Sequence, residues 1–186
     1  MATVRILVEG YTTKEKPGRA CSTVTLIQDG HHTIVVDPGS VSDHSVISNT
    51  LKKEGLTVND IDIVFLTHSH LDHYYNIGLF PKATIIDYWG AWKKDTWKAG
   101  QKKLSKNISI IETPGHSDDS ITLLAKTKQG IIAVCGDVFW KENYPNPDPY
   151  ANNQKKLVQS RKKVLGIADW VIPGHGNIFR VKKVNK

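Results

Sequence analysis

Between positions 68 and 73 the chain reads His68-Ser69-His70-Leu71-Asp72-His73, three imidazoles and a carboxylate within six residues. Crowding polar, titratable groups at one point has no packing rationale, because each costs free energy to bury unless something pairs with it. A metal centre is the arrangement that rewards the crowding. Three further candidates occur downstream: His116 in Thr113-Pro114-Gly115-His116, Asp137 in Cys135-Gly136-Asp137, and His175 in Pro173-Gly174-His175-Gly176. Imidazole nitrogen and carboxylate oxygen suit Zn2+, Fe or Mn, with zinc the default, and a carboxylate such as Asp137 can bridge two ions. On extended backbone residues 68 and 70 point the same way, while 72 and 73 fall in the turn beyond, so one segment can serve two ions. The expected chemistry is hydrolysis: two divalent ions lower the pKa of a water held between them, and the resulting hydroxide attacks. Asp72 and Asp137 are the expected catalytic carboxylates, Asp72 through proton movement to the leaving group as well as ligation.

Other polar residues have plainer readings. His31, His32 and His44 are expected in solvent, and Thr67 in local hydrogen bonding. Asp37, in Val36-Asp37-Pro38-Gly39, is either a carboxylate that orients a ligand histidine or a turn-former before Pro-Gly. Asp118 and Asp119 beside His116 are expected to have no catalytic part. The two cysteines, Cys21 and Cys135, are too few for a disulfide framework, and Cys135 lies in an apolar run as a buried structural thiol.

The elements that must carry these groups alternate between strand and helix. Residues 22–28 and 33–36 read as strands joined at Asp29-Gly30. Ser42 or Asp43 can cap a helix whose Val46, Ile47 and Leu51 share a face and which Gly55 ends. Ile61–Thr67 is a β-rich run leading directly into the histidine motif. Further strands are expected at 83–87, 108–112, 121–125 and 131–135, a late helix at Leu157, Val164, Leu165 and Ala168, and a strand at 170–172 leading to His175. Twice a short apolar strand delivers a histidine at its end, which suggests two related halves meeting at one site.

The chain has 186 residues and 39% hydrophobic content, enough for one domain spanning 1–186 with a substantial core. No stretch is apolar over the ~20 residues a membrane span requires. The charged N-terminal run reads as a first strand and not a signal peptide, so the expected location is cytoplasmic, or nuclear in a eukaryote. The net charge of +7 is uneven: residues 1–81 carry −3, 82–106 carry +5, 107–154 carry −3 and 155–186 carry +8.

Together these motifs resemble the metallo-β-lactamase superfamily, in which His-x-His-x-Asp-His, a later His, a bridging Asp and a final His hold two metals between facing sheets. Within it the chain looks most like the metallo-β-lactamase domain-containing protein 1 family. Glu9-Gly10-Tyr11, Asn76-Ile77-Gly78-Leu79-Phe80-Pro81, Gly136-Asp137-Val138-Phe139, Ser160–Leu165 and Phe179-Arg180-Val181 all correspond. The resemblance implies a four-layer αβ/βα sandwich, an α/β (α+β) fold. It also implies that His68, His70 and His116 hold one metal, Asp72, His73 and His175 the other, and that Asp137 bridges. Leu71, Tyr74 and Tyr75 depart from the small or polar residues usual at those positions, and either narrow the pocket or pack locally.

The resemblance further implies an endoribonuclease, a phosphodiesterase acting on RNA, and a homodimer. The basic segments 82–106 and 155–186 would meet the RNA. In the first of them Tyr88, Trp89, Trp92 and Trp97 alternate with Lys93, Lys94, Lys98, Lys102 and Lys103, a composition suited to stacking bases and neutralising phosphates. The plainer alternative is an amphipathic helix or lip whose tryptophans cover the core. Intervals of 42, 20 and 37 residues separate His73, His116, Asp137 and His175, too short for the inserted domain that dedicated processing nucleases of the superfamily carry. Hydrolysis of a small thioester or lactone is therefore the alternative substrate class. A non-catalytic metal-binding interaction module is the alternative of another kind.

Overall fold

The structure, a computed structural model, describes residues 1–142 and 144–182; the end of the basic segment 155–186 lies outside the described residues. The first half of the chain builds one sheet. Strand β1 (Thr3–Val8) is its edge, a small separate hairpin of β2 (Tyr11–Thr12) and β3 (Ala20–Cys21) follows, and β4 (Val24–Gln28) pairs antiparallel with both β1 and β5 (Thr33–Val36). Parallel β6 (Ile63–Phe65) and β7 (Thr84–Ile86) come next, then an antiparallel hairpin of β8 (Gly90–Lys93) and β9 (Thr96–Ala99) at the far edge. The second half repeats the scheme in a sheet of β10 (Ile108–Glu112), β11 (Ile121–Thr127), β12 (Gly130–Val134), β13 (Trp170–Ile172) and β14 (Phe179–Arg180). There β12 and β13 are the parallel pair.

The sheets face each other because each has an inner apolar surface to bury. Ile34, Val36 and Phe65 of the first meet Leu123, Val134 and Ile172 of the second in one cluster. The outer face of the first sheet is covered by α1 (Ser45–Lys53), which buries Ile47 and Leu51. After β6 comes the single turn α2 (Leu71–Tyr74), and α3 (Gln154–Ile167) covers the second sheet with Leu157 and Val164. Each such side chain contributes roughly 1.5–3 kcal/mol on burial. The architecture is the expected αβ/βα sandwich. Strand β6, covered on both faces, is apolar throughout and buried at all three positions, as central parallel strands are.

Three local expectations change. The β4–β5 connection takes in Asp29-Gly30-His31-His32, because Asp29 Oδ1 accepts from the amides of both His31 and His32 and widens the turn. Helix α1 starts later than either expected cap, Ser42 or Asp43, allows, with His44 at the cap; Asp43 instead accepts from Ser45 N at 2.8 Å. The Trp/Lys segment is a β-hairpin, so its aromatics do not seal the core: Trp89, Trp92 and Trp97 are all exposed. Trp92 pairs across the hairpin with Trp97, and strand alternation places Lys93 and Lys98 on the opposite face. Among the described residues, no helix is long and apolar enough to cross a membrane.

Candidate metal centre

The ends of the parallel strands deliver the site. Where β6 stops, a bend at Thr67 and His68 leads to His70 on extended backbone, and Asp72 and His73 occupy the turn of α2. From the second sheet come His116, between β10 and β11, Asp137 in the short turn after β12, and His175 after β13. The ligand atoms of His68, His70, His116 and Asp137 lie within 4.8 Å of one another, as do those of Asp72, His73 and His175. All seven sequence candidates are thus brought together in two adjoining groups.

Hydrogen bonds behind the site fix which nitrogen of each ring faces it. Asp37 accepts from Thr67 N at 2.8 Å and from Thr67 Oγ1 at 2.7 Å. Thr67 Oγ1, its proton committed to Asp37, accepts from His68 Nδ1 at 3.1 Å, which leaves a lone pair on His68 Nε2. His116 Nδ1 donates to Asp148 Oδ2 at 2.9 Å, and His175 Nδ1 donates to the Cys21 carbonyl at 3.0 Å. Their Nε2 atoms are freed in the same way. His68 Nε2 and His116 Nε2 then lie 2.9 and 3.0 Å from His70 Nδ1. At most one proton can serve those three nitrogens, and a cation serves all of them.

Asp37 also bonds His73 Nδ1 at 2.8 Å, and does so from a backbone φ of +47°, a conformation that costs about 1–3 kcal/mol and concentrates at functional sites. The carboxylate thus fixes the His73 ring while its backbone turns into Pro38-Gly39. Asp137 reaches both groups: Oδ1 is 3.3 Å from His73 Nε2 and from His175 Nε2, and Oδ2 is 3.4 Å from His116 Nε2. Asp72 Oδ2 lies 3.5 Å from His175 Nε2. His73 Nε2 and Asp137 Oδ1 are buried without a hydrogen-bond partner. With Nδ1 donating to Asp37, His73 Nε2 carries a lone pair as Asp137 Oδ1 does, and two orphaned lone-pair atoms facing each other are what a divalent cation would satisfy, so the residues present fit two metal ions. Gly174 is needed here, since a Cβ at that position would lie 1.9 Å from Asp137 Oδ1.

The electrostatics divide the two groups, the buried Asp137 carboxylate calling for positive charge beside it. Burial disfavours charge on His73, but Asp137 and Asp37 outweigh it and hold its pKa well above the ordinary value. Burial likewise opposes His175, and Asp137 raises it. Burial also opposes the Asp137 carboxylate, yet His73 and His175 hold its pKa well below the usual range. His68 and His70 are pushed down, first by burial and then by neighbouring imidazoles, as neutral ligands require.

The remaining candidates divide. Asp119 accepts from Ser69 N at 3.0 Å, bracing the histidine loop, and Asp118 pairs with Lys156 on the surface. Both cysteines are buried and outside the metal groups. Tyr74 packs on the core, whereas Leu71 and Tyr75 are exposed on the wall of the cleft over the site, a space of about 1240 Å³. Asp148 is the residue the sequence reading missed. Its one signal is an acidic group in the otherwise uncharged loop 144–150, and it is 1% exposed. Arg161 secures that loop: Nε donates to Val138 O at 2.8 Å, and the guanidinium sits 3.9 Å from the Tyr144 ring centroid. In the same region Trp140 stacks on Tyr150 with centroids 5.5 Å apart and turns an edge to His116 and His175.

Comparison with known proteins gives a consistent result. A family profile described as the metallo-β-lactamase superfamily matches residues 21–107. Metallo-β-lactamase domain-containing protein 1 of Xenopus laevis is 32% identical over 97% of this chain and 82% of its own length. A Methanocaldococcus jannaschii protein described as a probable metallo-hydrolase is 32% identical over 97% of this chain and 90% of its own. Among solved structures, one of the metallo-β-lactamase type from Thermotoga maritima superimposes with a TM-score of 0.76 at 24% identity, over 96% of this chain and 99% of that one.

Proposed function

Because the chain belongs to the metallo-β-lactamase superfamily, a family of metal-dependent hydrolases, we propose that it holds two divalent ions, zinc first among them, and cleaves phosphodiesters of RNA. The observation that carries the metal assignment is the facing pair of orphaned buried atoms, His73 Nε2 and Asp137 Oδ1. When bound, the ions supply Lewis acidity and acidify the attacking water. The protein supplies the rest. His68, His70 and His116 form one ligand set and Asp72, His73 and His175 the other, with Asp137 between them. Asp37, Thr67 and Asp148 keep the imidazoles in the ligating tautomer. Asp72, its side chain a quarter exposed, faces the cleft and is placed to pass a proton to the leaving oxygen.

Two features support a polymeric phosphodiester over a small substrate. The cleft of about 1240 Å³ exceeds the ~300–1,000 Å³ usual for small ligands. The Trp140–Tyr150 stack at its edge offers a platform for a base. Segments 82–106 and 155–186 would add outer phosphate contacts. The apolar wall of Tyr11, Leu71, Tyr75 and Pro145 favours a second reading, a thioester or lactone hydrolase.

The deciding experiment is a metal-reconstituted panel of single-stranded RNA, thioesters and lactones, run beside Asp137→Asn. RNA cleavage lost in the variant supports the proposal, and turnover of esters alone replaces it with the second reading. Two tightly held metals with no turnover in the panel would make the chain a non-catalytic module.

A further inference from the structure

The hairpin of β2 and β3 is fastened at its stem and free at its tip. Thr23 N donates to Gly174 O at 2.6 Å, Thr23 Oγ1 donates to Gly176 O at 3.1 Å, and Gly10 N donates to Thr23 Oγ1 at 3.1 Å. Ser22 N donates to Asp72 O at 3.0 Å. The Cys21 carbonyl receives the His175 Nδ1 proton. Gly10 allows the approach, for a Cβ there would meet Thr23 N at 2.4 Å and Gly174 O at 2.6 Å. The stem is therefore bonded to the backbone at Asp72 and Gly174 and to the ring of His175. Beyond it Thr13, Lys14, Gly18 and Arg19 form one wall of the cleft, whose lining also includes Lys141. Arg19 is held against Tyr11, its guanidinium 5.7 Å from the ring centroid and Nη2 3.5 Å from the hydroxyl.

The charges on that lining are one-sided. Its carboxylates, Asp72 and Asp137, both belong to the metal groups, and the other formally charged members are Lys14, Arg19 and Lys141. Among the described residues the only lysine or arginine in an ion pair is Lys156, so none of the three has a carboxylate partner. Glu15 lies in the same hairpin and does not line the cleft. Unpaired cations around a concave site draw anions into it.

We propose that Lys14, Arg19 and Lys141 form a subsite for a second anionic group of the substrate, the phosphate next to the one cleaved, at an offset that the hydrogen-bonded stem fixes relative to the metals. The assignment rests on the phosphodiester reading and says which part of the nucleotide chain meets which wall.

The test uses the metal-loaded full chain and a pair of dinucleotides, one with its single phosphodiester and one carrying an additional terminal phosphate. The phosphorylated compound is expected to have the higher kcat/KM by about tenfold or more, as charge-assisted phosphate contacts give. Arg19→Gln and Lys141→Gln are each expected to reduce that ratio severalfold, and the double variant to bring it near one, through KM. In parallel, quenching of tryptophan fluorescence by a nucleoside 5′-monophosphate, compared with the nucleoside, reads binding without turnover, and its salt slope is expected to fall in the variants. Cleavage of both dinucleotides with the same preference in wild type and variants would overturn the subsite and leave the phosphodiester reading standing. Cleavage of neither, with monophosphate binding still dependent on Arg19 and Lys141, would overturn the phosphodiester reading and keep the anion subsite. Circular dichroism of each variant separates misfolding from loss of contact.

Discussion

Asp148→Asn separates the two metal positions. The carboxylate is buried, accepts from His116 Nδ1 at 2.9 Å through one oxygen and from Tyr150 N at 3.0 Å through the other. Asparagine keeps the volume and one acceptor but removes the charge that polarises the imidazole. Hydrogen bonds to charged groups are worth about 1.5–3 kcal/mol and neutral ones about 0.5–1.5, so the substitution removes roughly 1–1.5 kcal/mol from the orientation of His116. That corresponds to about a tenfold loss of affinity at the position His116 shares with His68 and His70, at the low end of the ~10–100-fold usual for such supporting residues. Competition for Zn2+ against a chromophoric chelator, resolved into two equivalents, measures it. One equivalent should weaken and the other hold. Asp37→Asn should weaken both equivalents, because Asp37 supports His73 directly and His68 through Thr67, and asparagine tolerates the positive φ at that position. Unaltered affinity of both equivalents in Asp148→Asn, or equal weakening of both, would refute the reasoning that assigns His116 and His73 to different ions.

Asp137→Asn, which disturbs both groups at once, should lower kcat by more than about a hundredfold, beyond the range for supporting residues, in whichever assay shows turnover. Gly174→Ala drives a methyl group into Asp137 Oδ1 at 1.9 Å and should cost at least about 1–3 kcal/mol of stability together with metal content, read by thermal melts and elemental analysis. Stripping the metals should lower Tm, by roughly 8–16 °C per site if free metal had stood at a thousandfold its Kd, with recovery on adding Zn2+ back. Burial raises the pKa of Cys135 above that of a free thiol and Cys21 is fully covered, so neither should react with a disulfide reagent until the protein unfolds.

The strands were readable where apolar runs met turn signals. Residues 108–112 form the expected strand with the same bounds, and β5 runs from Thr33 to Val36 as anticipated. The seven clustered His and Asp residues were readable because polar density at strand ends needs a reason, and that reason is local. The Trp/Lys hairpin was harder: its turn places Lys94, not glycine or asparagine, at a φ of +56°, so Asp95 alone marked it. The alternation of Lys and Trp along the sequence also concealed that β pairing would set Lys93 and Lys98 on one face and Trp92 and Trp97 on the other. Asp148 was out of reach for another reason. It stands 32 residues from His116, and only the packing of its loop under Arg161 brings carboxylate and imidazole together.

The β2–β3 hairpin divides what can drift in this molecule from what cannot. Its foot shares hydrogen bonds with the segments bearing Asp72 and His175, so a change at Gly10, Thr23 or Gly174 is felt at once in the ligand geometry. Residues 13–19 carry no such obligation to the metal groups. That stretch is accordingly a replaceable cassette: lineages, or an engineer, can exchange it to admit a different substrate while inheriting the hydrolytic machinery intact.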